Sequence, residues 1–175
     1  GRGRAEARGI PANLAVAVHP KEMYRRVKTP YAELVMEQSL IKPCMEKFGV
    51  NESDYEILEG AWIGRELEGI VLKHPFIERE SKVVLGEHVT TEAGTGCVHI
   101  APGHGADDYE IGLKYGLDIY APVDNAGKFT HEFKEFEGQF VFSANQGIIE
   151  LLKSKDALLK EEKISHSYPH CWRCK

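Results

Sequence analysis

No apolar run in the chain approaches the roughly 20 residues that a bilayer-spanning helix needs, and no signal peptide opens it. No membrane partner is therefore expected. An excess of positive charge is also missing: 22 Lys and Arg stand against 27 Asp and Glu, a formal net charge of -5. That balance excludes a broad surface for coating nucleic acid, but it leaves room for a small pocket with a few donors. Cysteine is scarce, with Cys44, Cys97, Cys171 and Cys174 the only four. Without secretory context, they favour reduced thiols and a cytoplasmic location. Internal repeats are lacking, as is low-complexity sequence beyond the first nine residues. There is no Gly-x-Ser-x-Gly elbow, so a serine hydrolase of that type is excluded.

What is present suits one domain. A chain of 175 residues buries roughly 70% of its unfolded surface. Residues 1–9 carry three arginines and no large apolar side chain, and read as a flexible arm or an artefactual leader. Leu14 to Pro20 is apolar on both faces and predicts a strand through the core. Lys21, Arg25, Arg26 and Lys28 form the densest basic patch, most simply a solvated surface and alternatively a contact for phosphates. Tyr31 to Met36 suggests a strand, followed by a helix from about Glu37 to Phe48 that stops at Gly49. Pro43 fits badly inside such a helix.

From Tyr55 to Thr91, short runs rich in Val, Ile, Leu and Trp are cut by Gly60, Gly64, Gly69, Pro75 and Gly86. This is the punctuation of a β-meander, hence a barrel or strongly curved sheet. A helix should run from near Asp107 to Tyr115, with Gly116 past its end. Asp124 to Gly127 reads as a turn and Phe136 to Phe142 as a strand. Ser143 could cap a helix to about Lys155, with Ile148, Leu151 and Leu152 inward, and Leu158 to Ser167 reads as a last strand. The fold class is α+β, with strands ahead of helices.

The stretch with most chemistry is Gly94-Thr-Gly-Cys-Val-His-Ile-Ala-Pro-Gly-His-Gly-Ala-Asp-Asp108. It reads as a tight turn, a short strand, then a Pro-Gly-His-Gly loop that opens a helix. Cys97, His99 and Ala101 share one strand face. A helix start exposes backbone N–H groups, and His99, His104, Asp107 and Asp108 lie in or beside it. Together they could form a polar cleft, although Asp at a helix start also serves as an N-cap. Their spacing matches no helical metalloprotease pattern, so no metal is expected there. Cys97 shares a face with His99, but nothing visible activates its thiol. Cys171-x-x-Cys174 has the spacing of half a structural zinc site. Cys44 and Cys97 look like buried apolar residues and not the missing pair. The knuckle is then either empty or completed from outside this chain.

Gly94 to Tyr109, with Lys114-Tyr-Gly-Leu117 behind it, closely resembles the central motif of the editing domain of isoleucyl-tRNA synthetases. Three further blocks agree: Ile10-Pro-Ala-Asn-Leu-Ala-Val-Ala-Val-His-Pro20, Lys73-His-Pro-Phe76 and His166-Ser-Tyr-Pro-His-Cys-Trp-Arg173. The resemblance covers residue 10 to the end. It implies a single domain over residues 10–175, excised from a larger class I synthetase and folded as a distorted β-barrel with flanking helices. The implied activity is hydrolysis of valine wrongly esterified to the isoleucine tRNA, and of valyl-adenylate as a further candidate. Asp108 would hold the α-ammonium of the valyl group. His99 would sit beside the scissile ester, narrowing the pocket or placing the water. Thr95 with the backbone of Gly94 and Gly96 would shape the wall, and His104 and Asp107 would shape the loop. The reaction needs no cofactor, and Cys171 and Cys174 would be half of a zinc site in the parent enzyme. The implied partners are the mischarged tRNA 3′ end and the rest of the synthetase, with the domain itself a cytoplasmic monomer.

One position departs from the family pattern. Where the family has a threonine-rich peptide of the type Trp-Thr-Thr-Thr-Pro-Trp-Thr, this chain has Gly3-Arg-Ala-Glu-Ala-Arg-Gly9. The alternative to hydrolysis is therefore a module that binds the aminoacylated tRNA end without turning it over.

Overall fold

The structure is a computed structural model, and it describes residues 7–161. Among the described residues, eight strands and three α-helices follow one another. They are β1 (Ala15–Val18), β2 (Met23–Lys28), β3 (Glu33–Glu37), α1 (Ile41–Phe48), β4 (Glu56–Ile57), β5 (Trp62–Ile63), β6 (Val71–Lys73), β7 (Glu80–Leu85), β8 (Cys97–Ile100), α2 (Ala106–Tyr115) and α3 (Val141–Ser154). The α+β class thus stands. One sheet has the order β6-β7-β1-β8, and the other runs β3-β2-β4 with β5 also on β2. Among the described residues the strands do not close into a barrel. Single hydrogen bonds join the two sheets instead: Glu37 N–H to the Thr95 carbonyl at 2.9 Å and the Tyr24 hydroxyl to the Gly96 carbonyl at 2.6 Å.

β1 is interior because Ala15, Ala17 and Val18 give it nothing polar to keep wet. It runs parallel to β7 and antiparallel to β8, with Val16 opposite His99 and Ala15 opposite Ile100. Val98, Ile100, Val84 and Val89 then pack with Ile111 of α2. This packing fixes α2 against the end of β8. Strand side chains alternate, so burying Val98 and Ile100 on one face turns His99 to the other.

Several sequence expectations need correction. Residues 7–9 are not an arm: Ala7–Ala12 form a 3-10 turn against α3, with Arg8 N–H on the Asn145 side chain and Ala7 packed against the core cluster that includes Phe133 and Ile148. The basic patch is solvated as expected at Lys21, Arg26 and Lys28, but its last three residues stand on strand β2, whose Tyr24 and Val27 are fully buried. Pro43 is harmless because α1 begins at Ile41, which puts the proline in a first turn whose N–H groups lack helical acceptors. Phe136 to Phe142 is not a strand. It spans the end of a 3-10 turn (His131–Phe136), a left-handed Gly138 and the start of α3. α3 is entered from Phe140 without a side-chain cap, so Ser143 lies inside it. Residues 158–161 are not strand, and the rest of that expected strand lies outside the described residues.

Candidate functional site

The chemistry centres on the junction between β8 and α2. Asp108 lies in the first turn of α2, entered from Gly105, which has no side chain to cap it. Its carboxylate does not cap its own helix but reaches back to the strand end. Oδ2 accepts the Ala101 N–H at 2.9 Å. A charge-assisted bond of this kind orients the group. The side chain is half-buried, whereas its neighbour Asp107 is exposed on the same turn. The sequence placed two acids at this helix start, and the structure turns only Asp108 inward.

Two imidazoles lie within the field of that carboxylate. Burial lowers the pKa of His99, which Asp108 partly offsets by raising it, while His104 lowers it further. Burial also lowers the pKa of His104, again opposed by Asp108. Near pH 7 both rings are therefore held neutral beside an acid.

The hydrogen bonds of His99 define its tautomer. Asn13 Nδ2 donates to the Ala15 carbonyl at 2.8 Å, and Asn13 Oδ1 accepts the Ser81 hydroxyl at 2.8 Å, so the orientation of that amide is fixed. Nδ2 stands 3.3 Å from His99 Nδ1 and donates to it. Nδ1 is then an acceptor and the ring proton resides on Nε2. Nε2 faces the turn before β1, where a Cβ on Gly9 would stand 3.6 Å from it.

Gly94, Thr95 and Gly96 precede β8, whereas Asp108 grips the residue after it. The six residue steps from Thr95 to Ala101 span roughly 20 Å of extended chain, which sets this turn at the far end of β8 from the carboxylate. These residues instead join the sheets. The Cys44 thiol donates to the Gly94 carbonyl at 2.9 Å, Thr95 Oγ1 accepts the Cys97 N–H at 3.3 Å, and Gly96 is left-handed at φ 75°. A side chain on Gly96 would collide with the Glu37 Cβ.

Asn13, Ser81, His74 and Arg79 were given no role by the sequence, yet they surround His99 or hold what surrounds it. Asn13 and His74 stand inside the Pro11-Ala-Asn13 and Lys73-His-Pro-Phe76 stretches that carry the family resemblance, which is the one sequence signal that marks them. Burial pushes the Cys97 thiol up to about 12, which leaves it no nucleophilic thiolate at neutral pH. Cys44 is a buried residue of the core around α1. Among the described residues no three His, Cys, Asp or Glu side chains cluster to hold a metal ion. Cys171 and Cys174 lie outside the described residues. No helix among the described residues is long and apolar enough to cross a membrane.

Comparison with known proteins places this geometry in context. The family model described as leucyl-tRNA synthetase, editing domain, matches residues 32–163. The isoleucine–tRNA ligase of Desulfovibrio desulfuricans is 49% identical over 95% of this chain, and that of Moorella thermoacetica is 46% identical over the same share. The chain spans only 17% and 18% of those two relatives. Among solved structures, GlLeuRS-CP1 aligns with a TM-score of 0.65 at 16% identity, covering 95% of this chain and 83% of its own. The editing domain of the P. knowlesi cytosolic leucyl-tRNA synthetase aligns with a TM-score of 0.61 at 11% identity, covering 88% and 80%. At such identities these two structures speak for the fold alone.

Proposed function

The chain belongs to the editing-domain family of the leucyl- and isoleucyl-tRNA synthetases, and on that premise we propose that it hydrolyses the ester of valine mischarged onto the isoleucine tRNA. The carrying observation is the Asp108 carboxylate, anchored at 2.9 Å on Ala101 N–H with neutral His99 in its field. Anchoring Oδ2 leaves Oδ1 to accept from an α-ammonium group. The ester is already activated, so the site must orient it, admit a water and support the oxyanion. His99 serves as a donor here and not as a general base. Its Nδ1 is occupied by Asn13 and its Nε2 carries the proton, which suits hydrogen bonding to a water or the ester carbonyl. In the reaction the water oxygen bonds to the carbonyl carbon. The tetrahedral intermediate then collapses with cleavage of the ester C–O bond; the ribose oxygen leaves as a hydroxyl, taking a proton given up by the attacking water, and valine is released as its carboxylate.

A second sieve has a physical reason. One missing methylene is worth only about 1–3 kcal/mol, a figure established for this synthetase family and not drawn from the present structure. Binding alone cannot then reject valine, and a pocket too small for isoleucine can remove it. Removing the carboxylate in Asp108→Ala should cost the roughly 1.5–3 kcal/mol of a charged hydrogen bond, a loss of about 10- to 150-fold in kcat/KM for valyl-tRNA deacylation. Because the buried Ala101 N–H loses its acceptor, the variant should also lose about 1–3 kcal/mol of stability, and its deacylation is measured at a temperature where it remains folded. Deacylation at the parent rate would remove this assignment.

One observation favours the alternative of binding without turnover. Gly9 faces His99 Nε2 at the place where the family carries its threonine-rich wall, and it brings no hydroxyl. Incubating valyl-tRNA with the purified chain separates the two readings. Ester loss supports hydrolysis, whereas an intact ester on a measurably bound tRNA supports the binding module.

A further inference from the structure

The Lys73-His-Pro-Phe76 block has no part in the chemistry above, yet His74 is only 2% exposed and fully engaged. It stands in the turn between β6 and β7. Its Nδ1 accepts the N–H groups of Phe76 at 3.3 Å and Ile77 at 3.1 Å. The proton is therefore on Nε2, which donates to the Ile10 carbonyl at 2.9 Å. Arg79, at the other end of the same turn, donates from Nη2 to the Pro11 carbonyl at 2.6 Å, with its guanidinium 4.6 Å over the Tyr120 ring. Two residues on, Ser81 donates to Asn13. One hairpin thus grips Ile10, Pro11 and Asn13 in order. The gripped segment bears on both nitrogens of one ring, since Asn13 meets His99 Nδ1 and Gly9 faces Nε2.

We infer that His74 and Arg79 are positioning residues that clamp residues 9–13 over His99, fixing its tautomer and the room beside its Nε2. The effect on catalysis rests on the editing reaction proposed above; the clamp itself does not. A purely structural role for His74 would stop at capping its own turn. Two near-isosteric variants separate the functions of its two nitrogens. His74→Asn puts an amide oxygen where Nδ1 was, keeping the turn and losing the link to Ile10. His74→Gln puts an amide nitrogen near the Nε2 position, keeping that link and losing the turn acceptor. Arg79 and His99 are the charged or titratable groups acting on His74, and both variants leave them in place.

The test is imidazole nitrogen NMR on the full chain across pH, with the His99 signals identified by their loss in His99→Gln. In the parent and in His74→Gln, His99 should show the Nε2-protonated tautomer and titrate below the ordinary histidine range. In His74→Asn, the freed segment should admit water, mix the tautomers and return the titration toward that range. In deacylation, KM for valyl-tRNA should rise several-fold in His74→Asn while kcat changes less. Should His74→Asn fail to fold, Arg79→Met, which keeps the stem and loses the Pro11 bond, is expected to give the same His99 response. A parent-like His99 spectrum in the folded variants that lose the Ile10 or Pro11 link would overturn the clamp, as would equal perturbation by His74→Asn and His74→Gln. A parent that shows the His99 response but no deacylation would retire the proposed reaction and still support the clamp.

Discussion

Three histidines carry a consequence that each residue determines by itself. Burial depresses the pKa of His74, His99 and His104 below the ordinary 6.5. A group that resists protonation in the folded state binds more protons when unfolded, so stability rises with pH through that interval. Their contribution is fully present above about pH 6.5 and is lost as pH falls from there through the lowered folded values. Chemical denaturation between pH 7.5 and pH 5 should show unfolding free energy declining over that window. Asp108→Ala should steepen the decline, because the carboxylate now favours the protonated form of both His99 and His104. A stability that stays flat or increases on acidification would contradict these burial effects.

Glycine positions separate two kinds of cost at the scale of elements. Gly116 ends α2 at φ 63°, and a Cβ there would meet nothing within 4 Å. Gly116→Ala should cost only the left-handed backbone penalty, about 1–2 kcal/mol. Gly96→Ala adds a collision with Glu37 where the two sheets join, and should cost about 2–5 kcal/mol. Urea unfolding of the two variants side by side measures the difference. Equal losses would mean that the sheets part there without resistance.

The same elements show what the sequence could reveal. β1, α1 and α2 were legible because an apolar run or a terminal glycine marks each one locally. β2 was not, because Arg25, Arg26 and Lys28 mask a strand whose buried side chains are only Tyr24 and Val27. The Phe136–Phe142 stretch misled because its aromatics suggest alternation. Phe136 in fact stacks on Phe133 with ring centroids 5.1 Å apart, and Gly138 breaks the chain before α3. Of the candidate site residues, the nearness of Asp108 to His99 was legible because a short loop joins the elements that carry them. Asn13, His74 and Ser81 were not, because Asn13 lies 86 residues from His99, and His74 lies 64 residues from Ile10. Only the pairing of β1 with β7 and β8 brings them together.

At the scale of the whole molecule, the site is assembled from three distant stretches. The β8–α2 junction supplies the carboxylate and the imidazole. The segment ahead of β1 supplies the facing wall, and the β6–β7 hairpin holds that wall in place. The chain spans 17% of the length of its Desulfovibrio relative. Recognition of a small amine by Asp108 is the central requirement of the proposed reaction. It is tested most directly by titrating the parent and Asp108→Ala with a non-hydrolysable valyl-adenosine analogue that keeps its free α-ammonium. Binding by the parent, weakened about 10- to 150-fold in the variant, is the expected result. Equal affinity of the two proteins for the analogue would contradict it.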